Sequence, residues 1–296
     1  MSSRPTAEQW QCVACLTVAA APASSATLVC ATCGHDDGTR RVATGEVVNQ
    51  DPSKPTSGKP NLLHREQLRL ARRLVRPGAQ VVDVGCSSGA FLWHACRELP
   101  ISQTSYGIEI SAPNAEVARQ AGLRVEASLA EIEPRALVTF WQSAEHFPVP
   151  DLVELLVAIR ERAADVSLLI SVPNVDSVQW RMLRDRWTYA DPDAHYSQFS
   201  RDSLRRVLRR AGWRDTAWRR SPVYGLFGAL QSSLNLLRPR NELYQVLKRG
   251  EGSLSTRMLV GNGVAAVVTA PVTAGLAVFE VSPRRGGVLT VECQPA

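Results

Sequence analysis

The sequence predicts an α/β fold: a doubly wound, mostly parallel sheet, with a small cysteine-rich module before it and a helical insertion ahead of its last strand. Three observations predict this. Between residues 80 and 213, short runs of Val, Leu and Ile alternate with segments of helical periodicity. Those runs are apolar throughout, as in strands covered on both faces, and helix-separated strands of that kind build parallel sheets. Two Cys-x2-Cys pairs lie within the first 33 residues, and some 65 residues separate position 222 from the final strand, more than a minimal fold of this class needs.

Taken in order, residues 62–75 (LLHREQLRLARRLV) are apolar on one face and Arg-rich on the other, an amphipathic helix stopped by Pro77 and Gly78. Strands are predicted over 81–84 (VVDV), 105–110 (SYGIEI), 123–127 (LRVEA), 136–142 (ALVTFWQ) and 166–172 (VSLLISV), with an alternating last one over 288–293 (VLTVEC). Helices are predicted over 89–99, 113–122, 151–163 and 201–212. The second of these opens with Pro113 and closes with Gly122, the usual asymmetry of helix ends. The Pro-, Gly-, Ser- and Lys-rich stretch 49–61 reads as a linker between a cysteine module (1–48) and a main domain (62–296) with its insertion at 222–285.

Within the insertion, residues 258–279 carry no charge and, at 22 residues, are enough to cross a bilayer. They contain Pro271 and three Gly and are rich in Ala, Val and Thr. The segment therefore reads as two shorter buried helices, a lid or a piece of core, with peripheral contact to a membrane surface as the alternative.

The chain has 296 residues, 45% hydrophobic and 21% charged, with a net charge of +6. That is the composition of a soluble globular protein large enough to bury a core without staples. The surplus of basic residues permits an anionic partner. Yet they are spread through the helices rather than gathered in a stripe with aromatics, so a nucleic-acid partner is not expected. No basic segment followed by an apolar run opens the sequence, which points to a reducing, cytoplasmic setting. Clustered cysteines there indicate metal rather than disulfides. Cys12-x2-Cys15-x14-Cys30-x2-Cys33 supplies four thiolates for a structural zinc with no open coordination position, a zinc-ribbon module, and Gly34 follows where a tight turn is wanted.

The sharpest signal is 81–92 (VVDVGCSSGAFL), where a buried strand runs into a turn bearing Gly85 and Gly89 and a helix starts at the second glycine. Glycine serves where the chain turns tightly and a ligand approaches closely. Glu109 ends the next strand, 20 residues beyond Gly89, where an acid accepts hydrogen bonds from ribose hydroxyls in nucleotide-binding βαβ units. The loop lacks the middle glycine of a pyrophosphate site: Ser87 and Ser88 lie between the glycines, and Asp83 stands in the strand just before them. A carboxylate there repels phosphate but suits a ligand carrying an ammonium group. S-adenosylmethionine, with an amino-acid tail and a sulfonium, is such a ligand.

VVDVGCSSGAF and YGIEIS (106–111) resemble the first two motifs of the class I S-adenosylmethionine-dependent methyltransferases. FWQSAEHFPVP (140–150) resembles the segment after the fourth strand in the branch that includes ubiquinone-pathway and sugar O-methyltransferases, and 171–213 is similar to the fifth strand and its sequel in many bacterial members. The likeness covers about residues 60–215. It implies a Rossmann-like sheet of seven strands, with Asp83, Gly85 and Gly89 holding the amino-acid tail and Cys86 beside the cofactor in the same turn. It implies Glu109 on the ribose, Ile110 flanking the adenine, Ala127 and Ser128 closing the adenine pocket, and Gln142 near the sulfonium. Ser87 stands where the family usually has its middle Gly, and its small side chain still fits.

Methyl transfer aligns an acceptor with an activated carbon and, for a hydroxyl, requires loss of its proton; a positioned base adds about 10²–10⁴-fold. Of the five histidines, His35 follows the cysteine cluster, and His64 and His94 lie in predicted helices. His195, after the fifth strand, and His146, after the fourth, are the candidate bases in that order, both on the carboxyl-end rim where ligands bind. Glu145 and His146 also resemble an acid–His pair that holds a divalent cation in some quinone-pathway relatives. Gln142, Ser143 and Ala144 precede them and leave a further acidic ligand missing, so no catalytic metal is expected. The expected function is O-methylation of a small molecule or a glycan hydroxyl, with the insertion as a lid or acceptor wall. An rRNA or tRNA methyltransferase is the runner-up, opposed by Gln-Ser-Ala-Glu-His where many base-methylating enzymes have Asn/Asp-Pro-Pro-aromatic. A homologue that binds the cofactor without methylating is a third reading.

Overall fold

The computed structural model describes residues 9–20, 28–37, 58–191, 194–249 and 256–296; of the expected linker 49–61, residues 49–57 lie outside them. Seven strands make the central sheet: β1 (Val81–Val84), β2 (Tyr106–Ile108), β3 (Val125–Glu126), β4 (Leu137–Trp141), β5 (Ser167–Pro173), β6 (Trp213–Arg219) and β7 (Val288–Pro295). Their order is β6-β7-β5-β4-β1-β2-β3. The five strands from β5 to β3 pair parallel, and β7 is antiparallel to both its neighbours. The chain leaves β1 outward through β2 and β3, then resumes on the other side with β4. Order therefore reverses beside β1, and crevices that hold ligands open at the carboxyl ends of strands at such a reversal.

The helices are α1 (Leu62–Ala71), α2 (Ala90–Glu98), α3 (Ala112–Gln120), α4 (Val149–Arg162), α5 (Val178–Leu183), α6 (Arg201–Arg210), α7 (Pro222–Leu234), α8 (Glu242–Arg249) and α9 (Thr256–Ala277). Strand periodicity of two separates the faces. Val82 and Val84 pack with Leu152 and Leu156 of α4 and Leu204 of α6, while Val81 packs with Leu70 of α1 and Phe91 of α2. Asp83 alternates with its neighbours and falls on the α1–α2 side. Each fully buried aliphatic side chain contributes roughly 1.5–3 kcal/mol, so these two layers fix where that carboxyl sits.

Three expectations are corrected. The first helix ends at Ala71 rather than 75, because Arg73 and Leu74 bond back only three residues, to Leu70 and Ala71. Strand β6 went unpredicted: it is an edge strand, and its charges are matched sideways by Arg205 on Asp215 and by Glu292 on Arg219. Residues 258–279 are not two buried helices. A single helix, α9, runs through Pro271 and leaves a row of valines exposed. Pro271 is itself on the exposed side, where water can take the carbonyl its missing N–H leaves unbonded.

The insertion is tied to the sheet layer by buried polar contacts. Glu66 of α1 accepts hydrogen bonds from the first-turn amides of Val223 (2.9 Å) and Tyr224 (3.3 Å), a carboxylate set at the positive end of α7. Gln67 Nε2 donates to the Tyr224 hydroxyl at 2.7 Å. Glu280 accepts from Gln179 Nε2 and from the Gly287 amide, both at 2.8 Å.

Candidate active site and metal centre

β1 runs into a turn whose backbone is left-handed at Gly85 (φ 71°), Ser87 (φ 51°) and Gly89 (φ 76°). A Cβ on Gly85 would stand 2.5 Å from the Ser143 Cβ, and one on Gly89 would stand 2.3 Å from Leu123 Cδ1. Handedness and the surrounding protein thus demand both glycines. Ser87 accepts the left-handed place where the family has Gly, and its N–H donates to Glu109 Oε2 at 2.9 Å. Cys86 packs inside the same turn. Its thiol is buried against Gly107, whose own Cβ would lie 2.4 Å from that sulfur, and its N–H and C=O bond Ile108 and Gly89. Cys86 builds the turn.

Asp83 accepts a 2.7 Å hydrogen bond from Thr139 Oγ1. Burial pushes its pKa up to about 7; Thr139 opposes the rise and the negative Glu109 adds to it. Glu109, just past β2, accepts from the amides of Ser87 (2.9 Å) and Ser111 (2.7 Å). Two carboxyl groups therefore converge at the carboxyl ends of adjacent parallel strands, and a bound ammonium group would relieve their repulsion. Tyr224 of α7 lies close enough to Asp83 to feel its charge. Ile110, Ala127 and Ser128 are exposed just beyond the ends of β2 and β3.

At the tip of β4, Gln142 (φ 54°) donates from its amide to Ser171 O at 2.8 Å and from Nε2 to Ser171 Oγ at 3.2 Å. Its Oε1 is buried with no hydrogen-bond partner among the described residues. The Ser143 hydroxyl donates to Val84 O at 2.6 Å and so ties the β4 tip to the β1 turn. A short helical turn, Ala144–His146, then sends Glu145 inward and His146 outward. His146 Nδ1 lies 3.0 Å from Ala194 O. A carbonyl only accepts, so Nδ1 carries a proton, and in the neutral ring Nε2 is the acceptor.

His195 is buried, and its ring centroid lies 4.8 Å from that of His146 with the rings near perpendicular. The two histidines that the sequence offered as alternatives are thus neighbours. Glu145 joins them: one ligating atom from each of the three lies within 4.8 Å of the others. Its Oε2 is buried without a hydrogen-bond partner among the described residues, and burial pushes the carboxyl up to about 8. The expectation of no catalytic metal rested on a missing acidic ligand before Glu145, but the fold supplies a third polar group from a distant loop. His64 and His94 face each other elsewhere, with centroids 4.9 Å apart.

The four N-terminal cysteines also come together. Sγ atoms of Cys12 and Cys33 are 3.7 Å apart and those of Cys15 and Cys30 are 3.6 Å apart, with all four within 4.8 Å. A tetrahedral zinc with bonds of about 2.3 Å sets its sulfurs about 3.8 Å apart, so the residues fit that ion. The cluster sits on the main domain. Strand Asp36–Asp37 pairs antiparallel with Ser197–Gln198, the Ser200 hydroxyl donates to Cys33 O, Arg210 donates to Val13 O, and His35 packs on Phe199 at 5.5 Å. Apart from the one with Arg210 of α6, these contacts fall on residues 197–200, just after His195 in the same loop.

A family model of the methyltransferase domain matches residues 59–217. The chain belongs to that methyltransferase family. It is an S-adenosylmethionine-dependent methyltransferase, and its seven-stranded, mostly parallel sheet resembles the Rossmann-like sheet of that class. Among solved structures it is similar to phosphoethanolamine N-methyltransferase 2 of Haemonchus contortus, at 14% identity and TM-score 0.51, over 78% of this chain and 52% of that one. It is similar to an S-adenosylmethionine-dependent methyltransferase from Archaeoglobus fulgidus, at 19% identity and TM-score 0.47, over 80% and 95%. A cyclopropane synthase from Mycobacterium tuberculosis aligns at 14% identity and TM-score 0.48, over 77% and 82%. No curated protein sequence matches the chain.

Three groups beside the candidate site escaped the sequence reading: Thr139, Ser143 and Tyr224. Thr139 left a trace, a hydroxyl in an otherwise apolar strand, which asks for a buried partner. Tyr224 left none, since it reaches the site from an insertion more than 130 residues after Asp83.

Proposed function

We propose that this methyltransferase methylates a hydroxyl oxygen on a small molecule or a glycan, with His146 and His195 as the pair that takes the proton. The observation that carries the reading is their contact at the carboxyl-end rim of the sheet, with the Nδ1 proton of His146 fixed by Ala194. A neutral imidazole whose Nδ1 proton is held by a carbonyl presents its Nε2 lone pair as a base. His146, exposed and tautomerically fixed, is the better base, and buried His195 orients it, which reverses the order expected from sequence. S-adenosylmethionine, when bound, supplies a methyl group on a cationic sulfur. Asp83 and Glu109 would hold its ammonium and ribose groups, and Gln142 Oε1, a buried acceptor at the β4 tip, would face its cationic end. Ile110, Ala127 and Ser128 would border the adenine. Gly85 and Gly89 shape the turn that places these groups.

Zinc on Cys12, Cys15, Cys30 and Cys33 would be structural, since four thiolates leave no open position. Glu145, His146 and His195 form a set that could instead ligate a divalent cation; activity lost to a chelator and restored by magnesium alone would select that reading.

The test is a panel of hydroxylated small molecules and oligosaccharides offered with methyl-labelled cofactor. On an accepted substrate, His146→Ala should lower kcat about 10²-fold or more and abolish the acidic limb of the pH–rate profile, with affinity for S-adenosylhomocysteine unchanged. Full activity of both His146→Ala and His195→Ala would refute the assignment.

A further inference from the structure

Helix α9 has its polarity inside out. Asn262 donates to Glu242 Oε2 (2.9 Å) and Met258 O (3.0 Å), Thr269 to Ala265 O (2.8 Å) and Thr273 to Thr269 O (3.2 Å), so these side-chain donors are spent within the protein. Ala265, Thr269 and Leu276 are buried, and Leu276 joins the cluster around Trp187. On the outer side, Val260, Val264, Val267, Val268 and Val278 are 59 to 76% exposed, and Gly, Ala and Pro fill the remaining exposed positions. No exposed position between Val260 and Val278 bears a polar side chain. The valines recur at helical spacing and form one stripe roughly 28 Å long.

Charge at the two ends of the stripe has one sign. In the sequence leading into the helix, from Arg238 to Arg257, five basic residues stand against two acidic ones, and among the described residues Arg240 is exposed. Beyond the other end, Arg284 and Arg285 are both exposed. Among the described residues the nearby acids are engaged: Glu242 by Arg238 at 2.8 Å, which takes that arginine as well, and Glu280 by Gln179 and Gly287 in the interior.

We propose that α9 lies flat on the surface of an anionic lipid bilayer, its valine stripe in the acyl boundary and the flanking arginines among the headgroups. Spanning the bilayer would strip Ala265 and Leu276 from their packing. A second copy of the chain is the other candidate occupant, but a two-fold pairing of this stripe sets basic ends against basic ends. Anionic headgroups neutralise those ends, with about fivefold in affinity for each cation at the surface.

The experiment is co-sedimentation of the full chain with vesicles of phosphatidylcholine, alone or mixed with phosphatidylglycerol, beside analytical ultracentrifugation without lipid. The protein should pellet with the mixed vesicles and be released by salt. V264D/V267D and R284E/R285E should each weaken binding about tenfold or more while affinity for S-adenosylhomocysteine stays the same, which shows that the variants fold. The proposal is overturned if the protein pellets with neither vesicle, if both variants bind as the parent does, or if the parent is a dimer that V264D/V267D converts to monomer.

Discussion

The carboxyl of Asp83 should make cofactor affinity depend on pH in a way that ordinary carboxylates do not. Burial, with the charge of Glu109 adding, pushes it up to about 7, and it must ionise before it can pair with an ammonium group. When proton and ligand compete for one group, apparent affinity falls by the factor 1 + 10^(pKa − pH). With a value near 7 that factor is about 11 at pH 6 and about 1.3 at pH 7.5, so S-adenosylhomocysteine should bind roughly eightfold tighter at the higher pH. Binding is lost as pH falls through the folded value. Titration calorimetry across that range reads it directly. Asp83→Asn should bind roughly 10–100-fold more weakly at pH 7.5, the worth of a hydrogen bond to a charged group, and should lose the rise with pH. Glu109→Gln should move the midpoint downward, because one cause of the upward shift is gone. A flat profile in the parent, or the same rise in Asp83→Asn, would refute the reasoning.

Three further outcomes are expected. Glu145 ionises near its ordinary 4.5 when unfolded but near 8 when folded, so between those values the unfolded chain holds fewer protons and stability falls as pH rises. Glu145→Gln should remove that fall and be more stable than the parent at pH 8, relative to pH 5, by on the order of 3 kcal/mol; parallel melting curves would contradict it. Gly85→Ala should cost about 1–2 kcal/mol for handedness and about 1–3 kcal/mol for the clash with Ser143, and Ser143→Gly should recover only the second part in denaturant unfolding. Purified under reducing conditions, the chain should carry one zinc. Its removal should speed amide exchange at Ser197 and Gln198, which pair with Asp36–Asp37, but not in β1 and β4; unchanged exchange there would uncouple the cysteine module from the loop.

The parallel strands were legible because burial on both faces leaves uninterrupted apolar runs such as 166–172, and a turn that needs left-handed backbone writes itself as glycine at 85 and 89. Ser87 adopts the same handedness without a glycine to signal it. β6 was illegible because an edge strand is half solvated and reads as charged residues. The course of α9 was misread for a related reason: an uncharged run states that water is unwelcome, but not whether protein or lipid replaces it.

Local chemistry is set by neighbours in sequence, and there the sequence by itself determined the outcome: two Cys-x2-Cys pairs, a Gly turn behind a buried strand, and acids at the ends of β1 and β2. What only tertiary structure decided are the meetings across long separations. His146 and His195 stand 49 positions apart and touch because the loop after β5 folds back over the tip of β4. The cysteine module reaches that same loop through Ser200 on Cys33, 167 residues away. Such contacts depend on strand order and on which face each helix covers, and these follow from packing the whole apolar set at once. No window of sequence contains them.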